Sequence, residues 1–171
     1  MRLLAGPTSA WAQRPLVVEA RLAPIGSPSG VLGVGLSYSV QPWLAVSAGA
    51  GFGVWGPQFD VMARLRAVSV TNASGSYGFY LGVGGSEGAF EYVLDYEHTS
   101  RAWKHAWWGN LELGFEKQWY DVVSLRVYVG NEWNLSRNSG TCHKDGRTDL
   151  AACGDDGHTW PYLGVAMGYG F

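Results

Sequence analysis

No stretch of about 18 consecutive apolar residues occurs in this 171-residue chain, so it contains no transmembrane helix. Charge is scarce as well. Asp, Glu, Lys and Arg together make 15% of the residues, and the formal net charge is −2. That balance leaves no basic stripe for phosphates and excludes a general nucleic-acid binder. Cysteine is limited to Cys142 and Cys153, and no internal sequence repeat is present. What the chain holds in quantity is glycine, 25 residues, and aromatic side chains, 14%. Its length suits one domain and suffices to close a barrel of eight strands.

The last residues show how these ingredients are arranged. Leu163, Val165, Met167, Tyr169 and Phe171 alternate with Gly164, Ala166, Gly168 and Gly170. Successive strand side chains point to opposite faces, so one face is large and apolar and the other almost empty. Seven earlier segments alternate in the same sense. Leu16, Val18, Ala20 and Leu22 oppose Glu19 and Arg21; Leu32, Val34, Leu36 and Tyr38 oppose Gly33, Gly35, Ser37 and Ser39. Leu44 to Phe52 oppose Ser47, Gly49, Gly51 and Gly53; Phe59, Val61, Ala63 and Leu65 oppose Asp60, Met62, Arg64 and Arg66. Tyr77, Phe79, Leu81 and Val83 oppose Gly78, Tyr80, Gly82 and Gly84. Trp107, Leu111, Leu113 and Phe115 oppose Trp108, Asn110, Glu112 and Glu116; Val123, Leu125, Val127 and Val129 oppose Ser124, Arg126, Tyr128 and Glu132.

Alternation explains the mean hydropathy of −0.04, because the two faces cancel in any window. The pattern predicts an all-β fold: a closed, eight-stranded, antiparallel up-and-down barrel with lipid outside and a packed polar lumen. Each run has roughly the 9–11 residues that a tilted strand needs to cross a bilayer. A soluble sandwich with these aromatics in its core is the competing arrangement. It would bury or expose the wrong groups on the intervening face.

Connections predict the orientation. Val40-Gln41-Pro42-Trp43, Thr71–Ser76 and Trp119-Tyr120-Asp121 read as short turns, whereas 91–105 and 136–157 read as long polar loops. Short periplasmic turns and longer outer loops place both termini in the periplasm. Ala23–Gly30 and Trp55–Gln58 are expected as shorter outer loops. Aromatics sort by height: Trp43, Tyr77, Trp119, Tyr169 and Phe171 at one end, and Phe52, Trp55, Phe59, Trp107 and Trp133 at the other. Two such girdles are expected where amphipathic rings meet headgroups. Residues 1–13 are read as a truncated signal-peptide remnant, with Ala10-Trp11-Ala12 as an A-x-A pattern, or as a disordered N-terminus; residues 14–171 form the barrel.

With these features, residues 14–171 resemble the small outer-membrane β-barrels, the OmpA transmembrane domain and the OmpX-like proteins. The closing run Tyr162-Leu163-Gly164-Val165-Ala166-Met167-Gly168-Tyr169-Gly170-Phe171 looks like the C-terminal signal read by the barrel-assembly machinery. The resemblance is architectural and selects no subfamily. It implies residence in a Gram-negative outer membrane.

Three places are candidates for function. The lumen receives Glu19, Asp60, Glu112, Glu116 and Glu132 against Arg21, Arg64, Arg66 and Arg126. Near-balance is what charges removed from water require, and it favours a structural ion-pair plug over a conducting path. Gly-rich faces make room there for inward Tyr80, Trp108, Tyr128 and Tyr162. The 91–105 segment carries His98 and Ser100, an H-x-S pair like that of an outer-membrane lipid A deacylase family. Arg101-Ala102-Trp103 follows in place of that family's continuation, and the pair lies far from the C-terminus, so a solvated loop is the expectation. The third candidate is the loop holding Cys142 and Cys153. A disulfide is expected there, worth up to ~3 kcal/mol. Its spacing fits neither a zinc ribbon nor an EF-hand, so no metal or cofactor is assigned.

Two motif matches carry no weight. Gly51-Phe52-Gly53-Val54-Trp55-Gly56 fits G-x-G-x-x-G, but a strand follows it where a dinucleotide site needs a helix. Asn72-Ala73-Ser74 and Asn134-Leu135-Ser136 are chance sequons in a bacterial protein. The leading functional expectation is a non-enzymatic, plugged barrel whose outer loops bind lipopolysaccharide or a surface protein partner. A narrow conduit for ions or small apolar molecules, and a lipid A-modifying enzyme, are the alternatives. Arg101, Trp103, Lys104, Arg137 and Lys144 are the candidate surface-binding residues, since bases beside an exposed ring suit a phosphorylated sugar lipid.

Overall fold

The structure, a computed structural model, describes residues 15–25, 28–54, 56–72, 75–94, 99–120, 122–136, 141–144, 147–148 and 159–171. Eight long strands run β1 (Leu16–Ile25), β2 (Leu32–Gln41), β3 (Leu44–Gly53), β4 (Gly56–Asn72), β5 (Gly75–Leu94), β6 (Thr99–Trp119), β7 (Val123–Asn134) and β10 (Thr159–Gly170). Two short strands, β8 (Thr141–Lys144) and β9 (Arg147–Thr148), lie between β7 and β10. Every long strand pairs antiparallel with its neighbours, and β10 pairs with both β7 and β1. The ring is therefore closed, which leaves no sheet edge along the barrel wall.

Register fixes the barrel's dimensions. Partners followed from Gly75 through Trp119, Val123, Tyr169, Val18, Leu36, Ala48 and Val61 return to β5 at Gly85, ten residues further on. With a rise of ~3.3 Å per residue and ~4.8 Å between strands, that stagger tilts the strands by about 40° and sets a backbone radius of about 8 Å. Side chains fill an interior of that width.

The two faces divide as the alternation predicts. Leu32, Val34, Leu36, Phe59, Val61, Leu113, Val129 and Met167 are exposed on the outside, while Glu19, Arg21, Asp60, Arg64, Glu112 and Arg126 are buried inside. An apolar exterior over an internally satisfied backbone is the arrangement that hydrocarbon demands. Trp43, Tyr77, Tyr169 and Phe171 are exposed toward the end that carries the termini, where Phe171 N–H donates to the Leu16 carbonyl at 2.9 Å. Phe52, Phe59, Trp107 and Trp133 are exposed toward the other end, called the loop end below. Trp55 lies outside the described residues.

Several connections differ from expectation. Residues 91–105 are chiefly strand: β5 and β6 reach 20 and 21 residues and pair as far as Leu94↔Thr99. The segment contains Tyr92, Val93, Thr99 and Trp103, residue types that favour extended backbone, and its charged residues do not outweigh them. This hairpin continues six residues beyond the Gln58↔Gly88 pair that ends the β4–β5 ladder. Part of 136–157 is also extended, since β8 pairs with β6 and β9 pairs with β8. Gly56–Gln58 belong to β4 rather than to a loop, and β4 continues past a bulge at Arg66/Val68 to Asn72. The first connection is shorter than the Ala23–Gly30 loop expected, because β1 runs to Ile25.

Candidate functional site

Glu19 is the hub of the lumen. It lies on the inward face of β1, 3% exposed, and three guanidinium groups converge on it. Arg126 Nη2 donates to Glu19 Oε2 at 2.6 Å, Arg21 Nε to the same oxygen at 3.1 Å, and Arg64 Nη1 to Oε1 at 3.4 Å. Arg21 also donates to both oxygens of Asp60 at 2.9 Å. Arg126 Nη1 faces Glu112 Oε1 at 3.7 Å, and the Tyr80 hydroxyl donates to that oxygen at 2.6 Å. The Tyr162 hydroxyl reaches Glu112 Oε2 at 3.5 Å. Residues from β1, β4, β5, β6, β7 and β10 are thus joined across the lumen.

Neutral groups complete the cluster. Arg64 Nη2 donates to Ser47 Oγ at 2.7 Å and Nη1 to Ser37 Oγ at 3.3 Å. The Arg126 guanidinium lies 5.8 Å from the Tyr80 ring centre and 5.7 Å from that of Tyr128. A second, smaller group lies nearer the termini, where Arg66 Nε faces Glu116 Oε2 at 3.6 Å and Arg66 Nη1 donates to Ser39 Oγ at 3.2 Å. Buried charge on this scale is tolerated only when paired and hydrogen-bonded.

Glycines make the space. A Cβ at Gly35 or Gly49 would strike the Arg21 guanidinium, one at Gly114 the Tyr80 ring, one at Gly130 the Tyr162 ring and one at Gly164 the Tyr128 ring. The bare inward faces of the sequence are therefore the moulds into which the large polar side chains fit. Two small cavities lie among the described residues, each of about 10 Å³. One lies against Arg21, Asp60, Arg64 and Arg126; the other, toward the loop end, lies among Gln58, Ser86, Trp108 and Glu132. Each has room for about one water molecule.

Of the nine charged lumen residues singled out in the sequence, eight meet in these two groups. Glu132 does not. It lies six residues beyond Arg126 on β7, roughly 20 Å along the strand, in the cavity near the loop end. Sequence reasoning missed Ser37 and Ser47 as guanidinium acceptors and the Tyr80 hydroxyl as a bridge; their inward register beside glycines was the available signal. Among the described residues, no group of three or more His, Cys, Asp and Glu is placed to hold a metal.

The remaining candidates are described in part. Ser100, Arg101, Trp103 and Lys104 fall on β6, and Cys142 and Lys144 on β8, where only the backbone is described. Arg101 pairs with Cys142 in register, and Thr99 with Lys144. His98, Arg137 and Cys153 lie outside the described residues, as do residues 1–13.

No family model matches the sequence, and no curated protein matches it. A solved structure does match in shape: the N-terminal β-barrel domain of Pseudomonas aeruginosa OprF. The TM-score is 0.54 over 90% of this chain and 96% of that one, at 12% sequence identity. This chain has the OprF-type barrel fold. Identity at that level speaks for the architecture and not for a shared ligand.

Proposed function

We propose that this protein is an outer-membrane barrel with a plugged lumen, non-enzymatic, whose loop end faces outward and binds lipopolysaccharide. The observation that carries the reading is the cluster around Glu19. Four carboxylates and four guanidinium groups pair within the lumen and leave cavities of about 10 Å³. An interior that neutralises itself offers little to a permeating ion. Work is then left to the surface, and the β5–β6 hairpin with β8 beside it supplies an extended platform at the loop end. Arg101, Trp103, Lys104 and Lys144 belong to that platform by their strand positions, with Arg137 between β7 and β8 in sequence. A Cys142–Cys153 disulfide would tie the platform's last loop, and both termini would lie in the periplasm.

Two measurements test this. Planar-bilayer recordings of the refolded protein should show no steady open level; a stable, ion-selective conductance would replace the plug by a conduit. Substitution of Arg101, Lys104, Arg137 and Lys144 by Ser should weaken binding to purified lipopolysaccharide while leaving the heat-shifted gel band of a folded barrel intact. Unchanged binding in that variant would refute the surface reading.

A further inference from the structure

The connection between β1 and β2 does not stand clear of the barrel. Pro28, Ser29 and Gly30 are all buried, Ser29 to 2% exposure, in a connection that the sequence predicts as a short outer loop. Two backbone bonds hold the turn in place: Ala23 N–H donates to the Val31 carbonyl, and Val31 N–H to the Phe52 carbonyl, both at 2.8 Å. Gly30 adopts φ +84°, a conformation that favours glycine. The inward positions opposite are bare. A Cβ at Gly33 would lie 3.1 Å from Ser29 O and 3.3 Å from Ser29 Cβ, and one at Gly51 would meet Ser29 O. Ser29 therefore occupies a bay made by two missing side chains.

The position of this turn matters. Pro28 lines both lumenal cavities: the deep one beside Arg21, Asp60, Met62 and Arg64, and the one beside Gln58, Trp108 and Glu132. Pro28 is thus common to both cavities, and Ser29 lines the deep one. We propose that the Pro28–Gly30 turn is a stopper seated in the Gly33/Gly51 bay, which seals the charge cluster against water and solutes from the loop end. The inference rests on the plugged-lumen reading and adds a second, separable barrier to it. Its seat is held by backbone hydrogen bonds and small-residue packing, so it opens locally at a lower cost than the ion-pair cluster beneath.

Accessibility of Met62, buried at 3% exposure and lining the deep cavity, reports the seal. In a Cys142→Ser, Cys153→Ser background, Met62→Cys is treated with the membrane-impermeant anion 2-sulfonatoethyl methanethiosulfonate, and labelling is followed by mass. Gly33→Leu fills the bay and expels Ser29; deletion of Pro28, Ser29 and Gly30 removes the stopper altogether. Either change should speed Met62→Cys labelling by about tenfold or more, because the local opening step is abolished. Ser124→Cys, near the termini end, should label at an unchanged rate. If Gly33→Leu fails to give the heat-shifted band, the deletion decides. Equal rates with and without the stopper would overturn this inference while a silent bilayer recording left the plug intact. Steady conductance in the unaltered protein would instead overturn the plug.

Discussion

Arg126→Ala tests the lumen directly, because Arg126 joins the two carboxylates Glu19 and Glu112. The substitution removes the 2.6 Å bond to Glu19, the 3.7 Å pair with Glu112 and the 3.4 Å contact with the Tyr80 hydroxyl. Glu19 keeps Arg21 and Arg64, whereas Glu112 keeps, among the described residues, the hydroxyl donors of Tyr80 and Tyr162. Unfolding into urea returns both carboxylates to water, so the cost of holding an uncompensated charge in the lumen counts in full. Breaking a buried pair by removing one partner costs about 3–5 kcal/mol, and Arg126→Ala should fall in that range. Glu19→Gln should cost more, because three guanidinium groups then converge on a neutral amide in place of their common anion. Combining Glu112→Gln with Arg126→Met removes one charge of each sign and should recover part of the loss, with a coupling of about 1–3 kcal/mol. Urea titration in lipid vesicles, followed by tryptophan emission and by the heat-shifted band, measures these variants together with the single changes Glu112→Gln and Arg126→Met that complete the cycle. A loss below about 1 kcal/mol for Arg126→Ala, or additivity in the double variant, would refute the argument that the cluster is buried and mutually neutralising.

Two further outcomes follow from the same geometry. Leu81→Arg or Val127→Arg places a charge on the apolar exterior and should cost about 2–4 kcal/mol of barrel stability in vesicles, near the midplane value for lipid-facing arginine; no loss would mean that this face meets water. Gly114→Ala drives a methyl group into the Tyr80 ring and should cost about 1–3 kcal/mol, with Gly114→Ala/Tyr80→Ala cheaper than the sum of its parts.

Much of the barrel was legible in the chain because strand geometry has a period of two. Wherever one face must be apolar and the other polar, that period assigns each residue to a face without reference to its partners. Leu32 to Tyr38, Leu44 to Phe52 and Leu163 to Phe171 lie on the faces their alternation requires. Scarce charge concentrated on one phase likewise announced that Glu19, Arg21, Asp60, Arg64, Glu112 and Arg126 would share an interior. The lengths of β5 and β6 were less legible. Charged residues in 91–105 resemble a loop when read singly, and only cross-strand hydrogen bonding settles that this backbone is extended.

Pairing lay beyond the sequence. Alternation says that Glu19 and Arg126 point inward, but the ten-residue stagger around the ring decides that they meet and that Glu132 lies too far along β7 to join them. Stagger is a property of the closed sheet, since each strand's height depends on every register between it and its starting point. The same is true of the Pro28–Gly30 turn. Its sequence reads as part of a short outer loop, and its burial follows from Gly33 and Gly51 on the neighbouring strands, whose missing side chains leave a space that only the folded ring encloses. Local chemistry determined which way each side chain faces; closure of the ring determined what it finds there.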